Sequence, residues 1–202
     1  MGIIYATVCE RKKECLISLY STRPIDAIIR VKDGDSNGHP TFGSRPIPLN
    51  ITVTTGHAPI ALGVVYNSSN VVLGVNVTTR LAPLYVQVPL SYEGTFDFSA
   101  FSSEAEILSS PSDMSKDPLN RARTRLVKVH SSNSNETTTT IGNVEWVYDD
   151  DVREVEAVSE HSLSFRGSHI QATTLLAKAV LDLRDSAPLF STTSSWGEGC
   201  LV

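Results

Sequence analysis

The 202-residue chain is 41% hydrophobic and carries 17 basic against 22 acidic side chains, a formal net charge of −5. Length and apolar fraction suffice for one sizeable core and exclude wholesale disorder. The charges are scattered, with no basic stripe to neutralise phosphates, which argues against nucleic acid as the partner.

Met1 to Tyr20 opens on the apolar run GIIYATV and is broken by ERKKE at Glu10 to Glu14. A secretory signal places its charges before a longer apolar core, so neither a signal peptide nor a membrane span is expected, and residues 1–20 read as an N-terminal extension. Cys9, Cys15 and Cys200 form neither a disulfide framework nor a C-x-x-C pair. A Cys9–Cys15 bridge fits the spacing, but free thiols are the expectation.

From Ser21 the sequence repeats itself. STRPIDAIIRV (Ser21 to Val31), TTGHAPIALGV (Thr54 to Val64), TTRLAPLYVQV (Thr78 to Val88) and TTLLAKAVLDL (Thr173 to Leu183) share a hydroxyl residue and a Thr, a short bend, then apolar residues at alternate positions. NITV, VLGVNV and SHIQA precede three of them, so each unit reads as strand, bend and strand. Alternation sends successive side chains to opposite faces, so only one set enters a core. Leu84, Val86, Val88 and Leu90 point inward, as do Phe96, Phe98 and Ala100, then Val144, Trp146 and Tyr148, and Leu163 and Phe165. ATTLLAKAVLDLRD has helical propensity, but its match to the other units favours strand. The spacing is uneven, so the expected fold is an all-β stack of β-arches, solenoid-like, with a β-sandwich as the alternative. One domain over 21–185 is followed by a flexible tail, 186–202, whose GCLV ending misses the prenylation spacing by one residue. Loops are expected at Lys32 to Pro48, Ser109 to Leu119, Ser131 to Thr138 and Asp149 to Glu160.

Several stretches invite a chemical reading. DGDSNGHPTFGS places Asp33, Asp35 and Asn37 like the first ligands of a calcium loop, with Gly38 at the sharp turn. Its twelfth position is Ser44 rather than a bidentate Glu, and the flanks are strand-like. An inter-strand loop is the reading, and a weak Ca²⁺ site at those three residues is the alternative. The run Asp149-Asp150-Asp151 with Glu154 and Glu156 reads as a solvated loop. RARTR puts Arg121, Arg123 and Arg125 on one strand face, able to meet a carboxylate or sulfate, or else to pair with Asp113 and Asp117. His39, His57, His130, His161 and His169 never fall in a metal spacing, and His57 sits exposed in the second bend. No phosphate cradle and no nucleophile elbow occurs, so no cofactor and no catalytic residue is assigned. Tyr85, Tyr92 and Trp146 suggest a sugar-stacking platform if exposed, although Trp146 follows the inward alternation. Four N-x-[ST] triplets, at Asn50, Asn67, Asn76 and Asn135, are candidate N-glycosylation sites.

PLYVQVPLSYEGTFDFSAFSSEAEI, then DPLNRARTRLVKV, then GNVEWV and HIQATTLLAKAVLDL together resemble an uncharacterised family of adhesin-like β-repeat proteins abundant in mushroom-forming fungi. The resemblance runs from about Ser21 to Leu183. It departs in the arch turns, where Thr-Gly-His-Ala, Thr-Arg-Leu-Ala and Thr-Leu-Leu-Ala stand in place of Asn-Gly, and at Asn120 and Ala122, which replace glycines. The resemblance implies a β-arch scaffold and adhesion, with no catalytic residues to carry over. The expected function is a non-enzymatic interaction module whose partner is a cell-wall glycan or a protein. The alternative is a polysaccharide hydrolase or lyase, which needs carboxylates and a basic residue on one face, for example Asp97 beside the arginine strand.

Overall fold

The computed structural model describes residues 3–7, 15–31, 47–66, 71–101, 103–108, 117, 123–134, 137–148 and 167–183. They form strands β1 (Ile3–Thr7), β2 (Cys15–Ser21), β3 (Ile25–Val31), β4 (Ile47–Thr55), β5 (Ile60–Tyr66), β6 (Val71–Thr78), β7 (Leu84–Gln87), β8 (Gly94–Phe101), β9 (Ala105–Leu108), β10 (Arg123–Ser134), β11 (Thr137–Tyr148), β12 (Ser168–Thr174) and β13 (Ala179–Asp182). A six-stranded sheet has the order β1-β3-β5-β7-β13-β9, and a seven-stranded sheet the order β10-β11-β8-β12-β6-β4-β2. Every pairing in the first is parallel. In the second, β2, β4, β6, β12 and β8 run parallel, while β11 and β10 add an antiparallel hairpin to β8. Parallel pairing follows from the connections: the chain crosses to the other sheet and back before it meets its own neighbour, so each return strand runs in the same direction.

The repeat in the sequence is the unit of this architecture. Ile25, Ile60, Leu84 and Ala179, which open the second strand of each copy, are cross-strand partners in one row. A fifth unit, β8 to β9, joins the row through Ala179 and Ala105. The hydroxyl before three of the bends has a structural reason. Thr55, Thr79 and Thr174 are buried, and their hydroxyls donate to carbonyls of the bends: Thr55 to Ala58 O, Thr79 also to Ala58 O, and Thr174 to Ala82 O. A bend buried against its neighbour would otherwise leave those oxygens without a donor. Backbone bonds tie successive bends together, with Arg80 N donating to Gly56 O and Leu175 N to Arg80 O.

Inward side chains of both sheets meet in one hydrophobic cluster, from Cys15, Leu49 and Ile51 through Leu62, Phe96 and Phe98 to Ile170 and Leu181. Its last layer in sequence is not last in space. β12 and β13 lie between β6–β7 and β8–β9 in both sheets, and Leu73 N of β6 donates to the buried Ser168 Oγ of β12. Glycine is required where backbones crowd here. Gly94 has φ +154°, and a Cβ on it would collide with Ser168 O, while one on Gly142 would collide with Lys128 O and the Phe96 ring.

Four sequence expectations change. The sheets begin before Ser21, since β1 and β2 lie in the supposed extension and Cys15, Ile17 and Leu19 pack on the core. Cys15 is disulfide-bonded rather than a free thiol; Cys9 and Cys200, the other cysteines, lie outside the described residues. Most of the stretch expected as a loop at Ser131 to Thr138 is strand, because β10 and β11 pair in register out to Ser134 and Thr137. Tyr148 is half exposed at the end of β11 rather than inward. The helix-prone stretch is strand, bend and strand, as its repeat match requires.

Candidate functional site

At the end of the sheets opposite the bends, β10 turns two arginines inward. Arg123 grips Asp117 with two parallel bonds, Nε to Oδ2 at 2.9 Å and Nη2 to Oδ1 at 3.0 Å. Its Nη1 reaches Glu93 Oε1 at 3.1 Å, which also accepts from Trp146 N at 3.3 Å. The guanidinium lies 5.6 Å from the Trp146 ring centroid, within cation–π range. Only 9% of the Arg123 side chain and 2% of that of Asp117 is exposed, against 45% of Glu93. The bond to Asp117 holds Arg123 more firmly protonated than usual, against an opposing desolvation. Arg125 crosses to the other sheet and donates to Leu183 O at 2.7 Å. Arg121 and Asp113 lie outside the described residues. A ligand anion at Arg123 would have to displace Asp117, and a buried bidentate pair of this kind is costly to break.

The same end buries two phenols. Tyr92 N donates to Pro89 O, a turn that folds the ring inward, and its hydroxyl donates to Thr95 O at 2.6 Å. Burial, and then the neighbouring Tyr66, push the Tyr92 phenol well above its ordinary value. Burial, and then Glu93, do the same to Tyr66. Tyr92 is therefore no exposed stacking surface, and Trp146 is buried too. Tyr85 is half-buried, with its hydroxyl donating to the buried Asp182. The three aromatics form no stacking platform, and Trp146 follows the inward alternation.

Asp97 projects from the outer face of the seven-stranded sheet, since its neighbours Phe96 and Phe98 enter the core. Arg123 and Arg125 project from the opposite face, so the carboxylate and the arginines suggested for glycan cleavage do not converge. His57, His130 and His169 are exposed, and His169 Nδ1 lies 2.8 Å from Thr95 Oγ1. Among the described residues no group of three or more His, Cys, Asp or Glu could hold a metal ion. Asp33, Asp35 and Asn37, the acidic run from Asp149, His39, His161, Leu163, Phe165, Asn67, Asn135 and the tail all lie outside the described residues.

The bends carry the feature that sequence reasoning missed. Leu81, Leu175, Leu176 and Phe101 are large exposed apolar side chains, and they sit on three neighbouring units. Counting on from the pairs Thr78↔Thr173 and Thr174↔Ala100 puts Leu81 level with Leu176, and Leu175 level with Phe101. The result is an apolar crest along the bends, flanked by exposed Arg80 and Lys178. Lys178 is itself paired with Glu106 and Glu104. The signal was present in the turn residues: Leu at the bend positions where Asn-Gly was to be expected.

No family model, curated protein or solved structure matches the chain. Among the described residues no helix is long and apolar enough to cross a membrane.

Proposed function

We propose that the chain is a solenoid-like stack of β-arches that serves as a non-enzymatic, adhesin-like interaction module and meets its partner through the crest of its bends. The apolar crest of Leu81, Leu175, Leu176 and Phe101 carries this reading. Contiguous exposed apolar side chains on a folded surface mark an interaction site, and aliphatic side chains complement a protein surface better than a sugar's hydroxyls. A protein at a cell wall or surface is thus favoured over a bare glycan, consistent with the adhesin-like proteins the sequence resembles. The buried Thr hydroxyls bond bend carbonyls, and Arg123 is bound to Asp117 and Glu93, so these groups serve the frame.

The test is retention of the purified, fluorescently labelled chain on washed fungal cell walls, before and after protease treatment of the walls. Leu81→Ser with Leu176→Ser should lower retention about tenfold, the factor equivalent to about 1.4 kcal/mol, and protease treatment of the walls should abolish it. Retention unchanged by the double substitution would overturn the crest as the contact surface. Release of soluble sugar from the walls, lost on substituting a single carboxylate, would instead establish the hydrolase or lyase.

A further inference from the structure

We propose that Asn76 accepts an N-linked glycan and that Asn50, which carries the same sequence signal, does not. The triplets are N-I-T at 50–52 and N-V-T at 76–78. Both asparagines project from the outer face of the seven-stranded sheet, because Leu49, Ile51, Val75 and Val77 on either side of them are buried. Their surroundings differ. Asn76 is exposed and stands between its cross-strand partners Thr52 and Gln171. The Thr78 hydroxyl donates to Asn76 Oδ1 at 3.4 Å, which takes up the carbonyl oxygen and leaves the amide nitrogen, the atom that a sugar would take. Asn50 is half-buried and paired with Gly74. Its Oδ1 lies so low over β6 that a Cβ at Gly74 would collide with it. A glycan at Asn50 would have to lift that amide off β6, whereas one at Asn76 extends into solvent.

The donor is an oligosaccharide on a lipid pyrophosphate. Asn76 Nδ2 bonds the anomeric carbon of the first sugar, the lipid pyrophosphate leaves with the bonding electrons, and the amide gives up one N–H proton. Such transfer accompanies passage through an oxidising compartment, where the disulfide at Cys15 would also persist. The proposal does not depend on the crest as a contact surface, but it limits where partners can sit. A glycan on β6 shields the middle of the outer sheet face and leaves the bends open.

To test it, the full chain is directed into the secretory pathway of a yeast host, purified, and treated with an N-glycan-removing amidase in ¹⁸O-water before peptide mapping. Labelled Asp is expected at position 76 and not at 50. Asn76→Gln and Thr78→Val should each remove one glycan from the intact mass, and Asn50→Gln none. Secreted, folded protein unlabelled at 76, or labelled equally at 50, would overturn the proposal. Wall retention through the crest is read separately, so either result can fail without the other.

Discussion

The first half of the molecule, β2 to β7, and the second, β8 to β13, use the same strand-bend-strand unit but assemble it differently. In the first half each unit lies beside the one before it, so β4 pairs β2 and β6 pairs β4. In the second, the chain passes the free edge left by β6 and β7, builds β8 and β9, adds the β10–β11 hairpin, and only then returns to wedge β12 and β13 into the gap. Leu73 and Ser168, joined by a hydrogen bond across that gap, are 95 residues apart in sequence. The unit is thus specified locally, by its Thr, its bend and its alternation, whereas the order of units is specified by which edges remain open. The wedge is also the one unit that closes two edges in each sheet at once.

The wedge should therefore be the most sensitive part of the molecule. Ile170→Ala, at a fully buried position in β12, should cost about 4 kcal/mol in urea unfolding, against about 1–2 kcal/mol for Ile17→Ala on the partly buried edge strand β2. If the wedge enters last, the first change should act almost wholly on the unfolding rate, while Ile51→Ala in β4 slows folding as well. Equal rate effects at the two positions would remove the distinction between the halves. Gly94→Ala should cost about 3 kcal/mol, because φ +154° and the nearby Ser168 carbonyl both oppose a Cβ.

A smaller effect separates the bends whose buried Thr donates to a bend carbonyl from the β2–β3 bend, where Ser21 does not. Thr174→Val deletes the donor to Ala82 O and should cost about 1–2 kcal/mol. Ser21→Ala should cost less, since the Ser21 hydroxyl only accepts from the exposed Arg23 N. The smallest effect at neutral pH concerns Tyr66. Its phenol is raised above the ordinary value of 10.0 by burial and then by Glu93, so the unfolded chain releases that proton first. The associated stability is fully present below pH 10.0 and is lost as pH rises through and beyond it. Tyr66→Phe should flatten the alkaline side of the stability curve, and an unchanged slope in equilibrium unfolding would show that Tyr66 does not set it. Leu81→Ser should leave stability within about 0.5 kcal/mol of the parent while acting on binding.

Much of the unit was legible in the sequence because its physics is local. The repeated Thr, the bend and the alternating apolar residues are the features that register stacks in rows. The β8–β9 unit escaped because Ala100 stands where the units of β4, β6 and β12 have a buried Thr, which removes the residue that marks those bends. β2 escaped for the opposite reason: Leu16, Ile17, Leu19 and Tyr20 are all large and apolar, which conceals the alternation, although Leu16 and Tyr20 face solvent at the sheet edge. The burial of Tyr92 depends on the turn from Pro89 that swings it beside Tyr66, a contact between distant segments. The order of the units could not be read at all, since the β6 edge accepts any strand with the right in-and-out pattern. The crest was readable in principle from Leu81, Leu175 and Leu176, and it needed the register to show that they are neighbours.

Backbone NOEs in isotopically labelled protein test that order most directly. Parallel neighbours lie about 4.8 Å apart, and strands once removed about twice that. The account predicts contacts from the Gln171 segment to both the Asn76 and the Asp97 segments, its partners on the two sides, and none between the Asn76 and Asp97 segments. Direct contacts between β6 and β8, with β12 at an edge, would contradict it.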